Sequence, residues 1–299
     1  TITTENQPDL IFIRAYNQSQ NWYVVDSTRV ITDNKYWLTN TSDAEDTLPQ
    51  ANFTSVGATS VGISSGTWLN STGSNMQMWM WRMNGGTTST NTLGDVTSTV
   101  QVDPTGNMSI ITYTGTGVAG DTVGHGLSQA PDFFIIKRLN TGDNNMVAAR
   151  AYPNNANDLR LDVTGAGGAT SLFPSGESFD NVTATLYPMA SNVPVNASGS
   201  TYVGYFFSNC EGFIKSAMYE GNANADGTFV YTGFRPALII CKSFDSISNW
   251  ILYDDKREGY NVDNDSLIPN ETTAGATTDM IDILSNGFKL RISTLPNAA

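Results

Sequence analysis

The sequence predicts an all-β chain built as three tandem, related β-sandwich units of jelly-roll-like type. Three observations point there. Short runs rich in Val, Ile, Phe, Tyr and Thr are punctuated by Gly, Asn, Asp and Pro, the pattern of strands joined by tight turns. No long window keeps apolar residues at i, i+3, i+4 and i+7 once its Gly and Pro are counted, so no long amphipathic helix is expected. One Pro-led apolar strand also occurs three times: PDLIFIR from Pro8, PDFFIIK from Pro131 and PALIICK from Pro236.

Each of these strands ends on a basic residue at the same place, Arg14, Lys137 and Lys242. A polar loop follows (AYNQSQ in the first copy, SFDSIS in the third), then a second strand, NWYVVD from Asn21 and NWILYD from Asn249. A polar loop between two apolar runs is expected of antiparallel neighbours. Trp22 and Trp250 stand at one spacing from their prolines. The middle copy offers Met146 one residue later, which reads as a lost Trp and a loop longer by one residue. The runs are almost continuously apolar, as in strands covered on both faces.

Further along, NSTGS from Asn70 and NASGS from Asn196 lead into MQMWMWR and YVGYFFS. In the first of these strands Trp79 and Trp81 point one way and Met78 and Met80 the other, so a core or interface position is expected. A leading strand repeats as well: SIITYTGTG precedes the second Pro and IKSAMYEGN the third, aligning Tyr113 with Tyr219. The copies divide the chain into residues 1–104, 105–211 and 212–299. The first lacks its leading strand, and the third stops at LPNAA, where an aromatic strand should begin. The pattern predicts either a longer native chain or a strand supplied by a neighbour.

The chain has 299 residues, 39% hydrophobic and 10% aromatic, enough for real cores. Only 14% are charged, and polarity comes from Ser, Thr, Asn and Gly. A net charge of −13 with no Lys/Arg cluster argues against counterion-driven nucleic-acid binding and disfavours an anionic membrane surface. No run approaches the roughly 18 apolar residues that span a bilayer as a helix. Cys210 and Cys241 set no disulfide framework; Cys241 sits in an apolar run, where a thiol serves as a small hydrophobe.

Four motifs could carry chemistry, and each reads more simply as structure. GISSG at Gly62–Gly66 resembles a nucleophile elbow around Ser64, yet no helix is expected after it, and the chain's single histidine, His125, lies in the next copy. GTGVAG at Gly115–Gly120 follows a strand but opens no helix to hold a pyrophosphate. His125 is flanked by glycines, with no second His or Cys to complete a metal site. The carboxylates of Asp254–Asp265 lack calcium-loop spacing and read as a solvated acidic loop. No catalytic residue, metal or cofactor is assigned.

The phrases VGHGLSQAPDFFIIK, YVGYFFSNCEGFIKSAMYEGN, DGTFVYTGFRPALIICK, NWILYDDKREGYN and LSNGFKLR resemble a repeated β-rich domain of unknown function. That domain is found in structural and tail-fibre-like proteins of tailed bacteriophages, mostly marine. The resemblance runs from about Gly115 to Leu290; residues 1–104 join it only through the internal repeat. It implies a non-enzymatic virion structural protein (tail fibre, head fibre or capsid decoration) whose partners are other virion proteins and further copies of itself. It carries no catalytic residues over. The expected assembly edge is Leu295, Pro296 and Asn297, running to Ala299. The alternative is a carbohydrate-binding adhesin on a phage or cell surface, with Trp22, Trp250 and Tyr253 as the residues that would meet host glycans.

Overall fold

The computed structural model describes the chain except residues 49–51, 66–67, 153–157, 169–171, 258–260, 262–264 and 299. It is all-β, in antiparallel sheets without a barrel. The strands fall into three groups along the chain. The first holds β1 (Ile2–Thr3), β2 (Leu10–Ala15), β3 (Tyr23–Asp26), β4 (Lys35–Leu38), β5 (Asp46–Thr47), β6 (Phe53–Gly57), β7 (Ser60–Ile63) and β8 (Met76–Trp81). The second holds β9 (Ser89–Asn91), β10 (Ser98–Val102), β11 (Met108–Thr114), β12 (Thr122–Gly124), β13 (Phe133–Arg138), β14 (Met146–Ala149), β15 (Leu159–Arg160), β16 (Leu186–Pro188) and β17 (Thr201–Phe207). The third holds β18 (Phe229–Tyr231), β19 (Leu238–Cys241), β20 (Ile251–Asp254), β21 (Ile281–Leu284) and β22 (Gly287–Leu290). Among the described residues the one α-helix is the four-residue turn Val193–Asn196.

One order recurs. The first group's large sheet runs β5-β4-β3-β2-β8, the second's β15-β14-β13-β17-β11-β10-β9, and the third keeps β19-β20 with a bridge from Leu252 to Leu267. A smaller sheet faces each: β1-β7-β6, β12-β16 and β18-β22-β21. The registers match too. Phe12 lies opposite Val24, Ile135 opposite Val147, and Ile240 opposite Leu252.

Side chains alternate across these strands, and both faces find a core. Ile11 and Ile13 face the first group's own core with Phe53 and Val61, while Leu10 and Phe12 face a second core shared by all three groups. Phe134 and Ile136 likewise face their own core, and Ile135 the shared one. Ile239 lies in the third group's core, and Leu238 packs on the shared one. Burial on two sides is why these strands read as unbroken apolar runs instead of alternating with polar residues. Trp79 and Trp81 pack on the shared core while Met76 and Met78 pack on the first group's own, but Met80, expected on that second face, is 38% exposed.

One expected strand does not form. The residues aligned with β11, 215–220, carry no strand assignment, although β11 itself is held between β10 and β17. A strand needs a hydrogen-bonding neighbour, and among the described residues this segment has none alongside it.

Candidate assembly interface

The three groups grip one another through a set of equivalent bonds. The residue just before β3 is Trp22, whose indole N–H donates to the carbonyl of Ile268 at 2.8 Å. The residue just before β20 is Trp250, whose indole N–H donates to the carbonyl of Arg160 at 2.8 Å. The residue just before β14 is Asn145, whose amide donates to the carbonyl of Leu38 at 2.9 Å and to those of Thr39 and Thr41 at 3.1 Å. The acceptors are equivalent as well. Leu38 ends β4, Arg160 ends β15, and Ile268 follows the Leu252–Leu267 bridge. The first group therefore bonds to the third, the third to the second, and the second to the first: a closed cycle.

Backbone bonds follow the same direction. Gln20 N–H donates to Thr272 at 3.0 Å, Asp143 N–H to Ser42 at 2.7 Å, and Ser248 N–H to Thr164 at 2.9 Å. Two of the three strand-end cations join in. Arg14 reaches the carbonyl of Thr273 at 2.7 Å, and Lys137 that of Ser42 at 3.2 Å, whereas Lys242 bonds within its own loop to Ser243 at 2.7 Å. Burial lowers the Lys137 and Lys242 ammonium groups to about 8, with nearby carboxylates acting in the opposite sense.

This register corrects the sequence alignment at one point. Ile136 pairs with Met146 as Ile13 pairs with Tyr23 and Cys241 with Ile251, so Asn145, not Met146, stands where the other copies carry Trp. No loop residue has been gained there. A Trp and an Asn share little in shape, but each offers an N–H, and that is what the position requires.

A charged lock closes the contact between the first and second groups. Asp26 accepts from Arg29 Nε at 2.8 Å and from the Tyr205 hydroxyl at 2.8 Å, and Arg29 also meets Glu45. Trp37 Nε1 donates to the Tyr205 oxygen at 2.9 Å. Burial pulls the Arg29 guanidinium down, but Asp26, Tyr205 and Glu45 outweigh it and hold the group above its ordinary value. The third group repeats the pair, with Arg257 Nε 2.7 Å from Asp254. Asp254 is 6% exposed, so the expected solvated acidic loop begins on a buried carboxylate. Residues 258–260 and 262–264 of that loop lie outside the described residues.

The three aromatic residues considered for glycan contact are interior. Trp22 and Tyr253 are 0% exposed and Trp250 is 3%. Trp22 stacks on Trp79, and Tyr253 lies in the third group's core. None presents a ring face to solvent, which sugar stacking requires.

Leu295, Pro296 and Asn297 form a clamp instead of a free edge. Tyr219 hydroxyl donates to the Pro296 carbonyl at 3.0 Å, as Tyr113 hydroxyl does to Val195 at 2.7 Å. Asn297 carbonyl accepts from Ala223 N–H at 2.8 Å, as Asn196 carbonyl does from Gly117 at 2.7 Å. Each Asn side chain then accepts from the loop on one atom and donates back on the other: Asn196 takes Thr116 N–H and gives to Val118, and Asn297 takes Asn222 N–H and gives to Asn224. Leu295, Pro296 and Cys241 also line a cavity of about 270 Å³. Ala299, the last residue of the expected edge, lies outside the described residues. An open edge in the third group belongs to β19, whose second side pairs with no strand among the described residues; β8 likewise ends its sheet in the first group.

The remaining motifs are absorbed by the scaffold. His125 Nε2 lies 3.1 Å from the Thr183 carbonyl, Leu127 N–H donates to Nδ1 at 3.3 Å, and the ring stacks on Phe206. Those partners fix the proton on Nε2, and burial lowers the imidazole pKa to about 4. Ser64 follows β7 and is succeeded by a short 3-10 turn, Trp68–Asn70; Gly66 lies outside the described residues. The glycines of Gly115–Gly120 lead into β12, not a helix. Both cysteines are free. Among the described residues no group of three His, Cys, Asp or Glu is placed to hold a metal, and no helix is long and apolar enough to cross a membrane.

Residues 1–298 match the family described as Domain of unknown function (DUF7483). The chain belongs to that family. No curated protein and no solved structure matches it. The match spans all three strand groups. Within this DUF7483 chain, sequence reasoning missed two features: the interfacial role of Asn145 and the open edge of β19. The first was hidden by a one-residue misalignment, which the matched spacing of Trp22, Asn145 and Trp250 from their prolines could have resolved.

Proposed function

We propose that the chain is a non-enzymatic structural protein of a tailed-phage virion (tail fibre, head fibre or capsid decoration) working through protein–protein assembly. In this reading three related units close into a ring around one shared core, and the particle surface is its place of action. One observation carries it. The side chains most able to do chemistry or bind sugar, His125, Arg29, Asp26, Trp22 and Trp250, are spent inside the scaffold, while backbone pairing capacity stays open on β19. An unpaired strand edge is a liability that natural proteins cover, and covering it with another chain is an established mode of assembly.

The resemblance to phage structural domains supports the choice of particle. The test is mass spectrometry of gradient-purified particles from the source. The reading expects this chain at a fixed copy number relative to the major capsid protein. Its absence from particles, with abundance in the host-cell fraction, would overturn the reading.

A further inference from the structure

We propose that Lys137 and Asn145 form a self-modification site, at which the lysine amine and the asparagine carboxamide join as an isopeptide bond with Asp162 as proton carrier. The inference stands whether or not the chain is part of a virion.

The strand register puts the two side chains on one rung. β13 and β14 pair as far as Ile136 opposite Met146, and the next residues outward are Lys137 and Asn145. Residues directly opposite share a face, with Cβ atoms about 4.5–5.5 Å apart. The first group shows that side chains on this rung meet. There Arg14 stands across from Trp22, its guanidinium carbon 4.8 Å from the ring centroid. In the second group both side chains reach the same turn of chain: Lys137 Nζ bonds the Ser42 carbonyl at 3.2 Å, and Asn145 Nδ2 bonds that of Thr41 at 3.1 Å.

A carboxyl group completes the set. Trp22 N–H donates to the Asn40 side chain at 2.9 Å and Trp250 N–H to that of Asn270 at 2.8 Å, whereas Asn145 N–H donates to Asp162 Oδ1 at 2.9 Å. An asparagine suffices to accept that N–H, as the other two groups show. The second group therefore departs from its relatives twice at one spot: an amide replaces an indole, and an acid replaces an amide. Together the two differences place an amine, a carboxamide and a carboxyl around one rung.

The surroundings suit reaction. Lys137 and Asn145 are both 0% exposed. Burial lowers the Lys137 amine to about 8 against the pull of Asp162, Asp143 and Asp43, which leaves a neutral, nucleophilic share near neutral pH. Burial raises the Asp162 carboxyl, with the Asn145 N–H and Lys137 acting against it, and so favours the protonated form that can donate. Asn145 Oδ1 is buried and accepts no hydrogen bond. Folded proteins rarely leave such an atom unpaired. It is the oxygen on which charge develops when the amine attacks.

The step balances without a co-reactant. The Nζ lone pair attacks Cγ of Asn145, and the carbonyl π electrons move to Oδ1, which takes the Asp162 proton. The resulting carboxylate accepts a proton from Nζ and passes it to Nδ2. The Cγ–Nδ2 bond then breaks, the carbonyl re-forms as Oδ1 returns its proton to Asp162, and ammonia leaves. The new amide gives up the donation to Leu38 and Thr39 and keeps one N–H for the Thr41–Ser42 turn, while β13 and β14 become covalently joined beside the first group.

Intact-mass spectrometry of the purified folded chain, after incubation in mildly alkaline buffer, reads the bond directly. The chain should be lighter than its sequence mass by one ammonia. Trypsin, which does not cut after an acylated lysine, should then release residues 83–138 joined to residues 139–150. Lys137→Arg and Asp162→Asn, each checked for fold by circular dichroism, should both show the full sequence mass. Full mass in the unmodified chain would overturn the proposal. So would a deficit that survives in Lys137→Arg, which marks a cyclised asparagine, or one unchanged in Asp162→Asn.

Discussion

Trp250 donates its indole N–H to the carbonyl of Arg160 at 2.8 Å, across the boundary between the third and second strand groups. The same bond is made by Trp22 to Ile268 and, through an amide, by Asn145 to Leu38. Three bonds in a closed cycle make each group part of its neighbours' support. Trp250→Phe keeps most of the ring and loses the donor, leaving the carbonyl without its partner, so a cost of about 1–3 kcal/mol is expected. Asn145→Leu removes the donor to three carbonyls and should cost at least as much. Urea unfolding checks both, and an unchanged midpoint in either variant would contradict the cycle's role.

Two glycines report on the Asn clamp. A Cβ on Gly115 would stand 2.6 Å from the Ala197 carbonyl oxygen, and one on Gly221 would stand 2.0 Å from that of Ala298. Both obstacles are backbone, so the clamp must move. Gly115→Ala and Gly221→Ala should each destabilise by about 1–3 kcal/mol, the usual range for overpacking. Thermal unfolding of the two variants tests whether the clamps are equivalent, and a large effect at one site with none at the other would show that they are not.

The Asp26–Arg29 pair has side chains 0% and 7% exposed. Removing Asp26 leaves the buried Arg29 with Glu45 as its remaining carboxylate and strips Tyr205 of its acceptor. Asp26→Ala is expected to cost about 3–5 kcal/mol, while Lys256→Ala, which removes a 76% exposed side chain, should give less than about 1. Tyr205→Phe, which frees Trp37 Nε1 and one lone pair of Asp26, should fall between. Chemical denaturation of the three variants ranks them.

His125 gives a pH signature. Burial lowers its folded pKa to about 4 from the ordinary 6.5, the Thr183 bond acting in the other direction. Above pH 6.5 both folded and unfolded chains hold it neutral, and its contribution is complete. As pH falls from 6.5 to 4 the unfolded chain gains the proton first, so stability drops, by roughly 3 kcal/mol at the lower end. His125→Gln should flatten the stability curve across that window relative to the unmodified chain. Parallel curves would contradict the buried neutral imidazole.

Much of this architecture was legible in the residues. The Pro-led strands, their basic ends and the two NW phrases fix β2, β19, β3 and β20 because hydrophobic runs bounded by polar loops leave few alternatives. The function of the Trp pair was not legible. Conserved spacing says that Trp22 and Trp250 do the same thing, but not whether they face solvent or another part of the chain; only the packing shows them interior. The assembly edge was expected at the chain's last residues by counting, whereas those residues are clamped and an unpaired strand side lies on β19, because a strand's vacancy is felt by its neighbours in the sheet and not by its neighbours in sequence. Asn297 illustrates the difference, since it is 0% exposed and fully engaged in the clamp.

The most direct test of the central claim is antibody-gold labelling of intact particles purified from the source and imaged by electron microscopy. The account predicts gold at fixed positions on a phage head or tail. Gold on cell surfaces or free filaments, with phage particles bare, would contradict it.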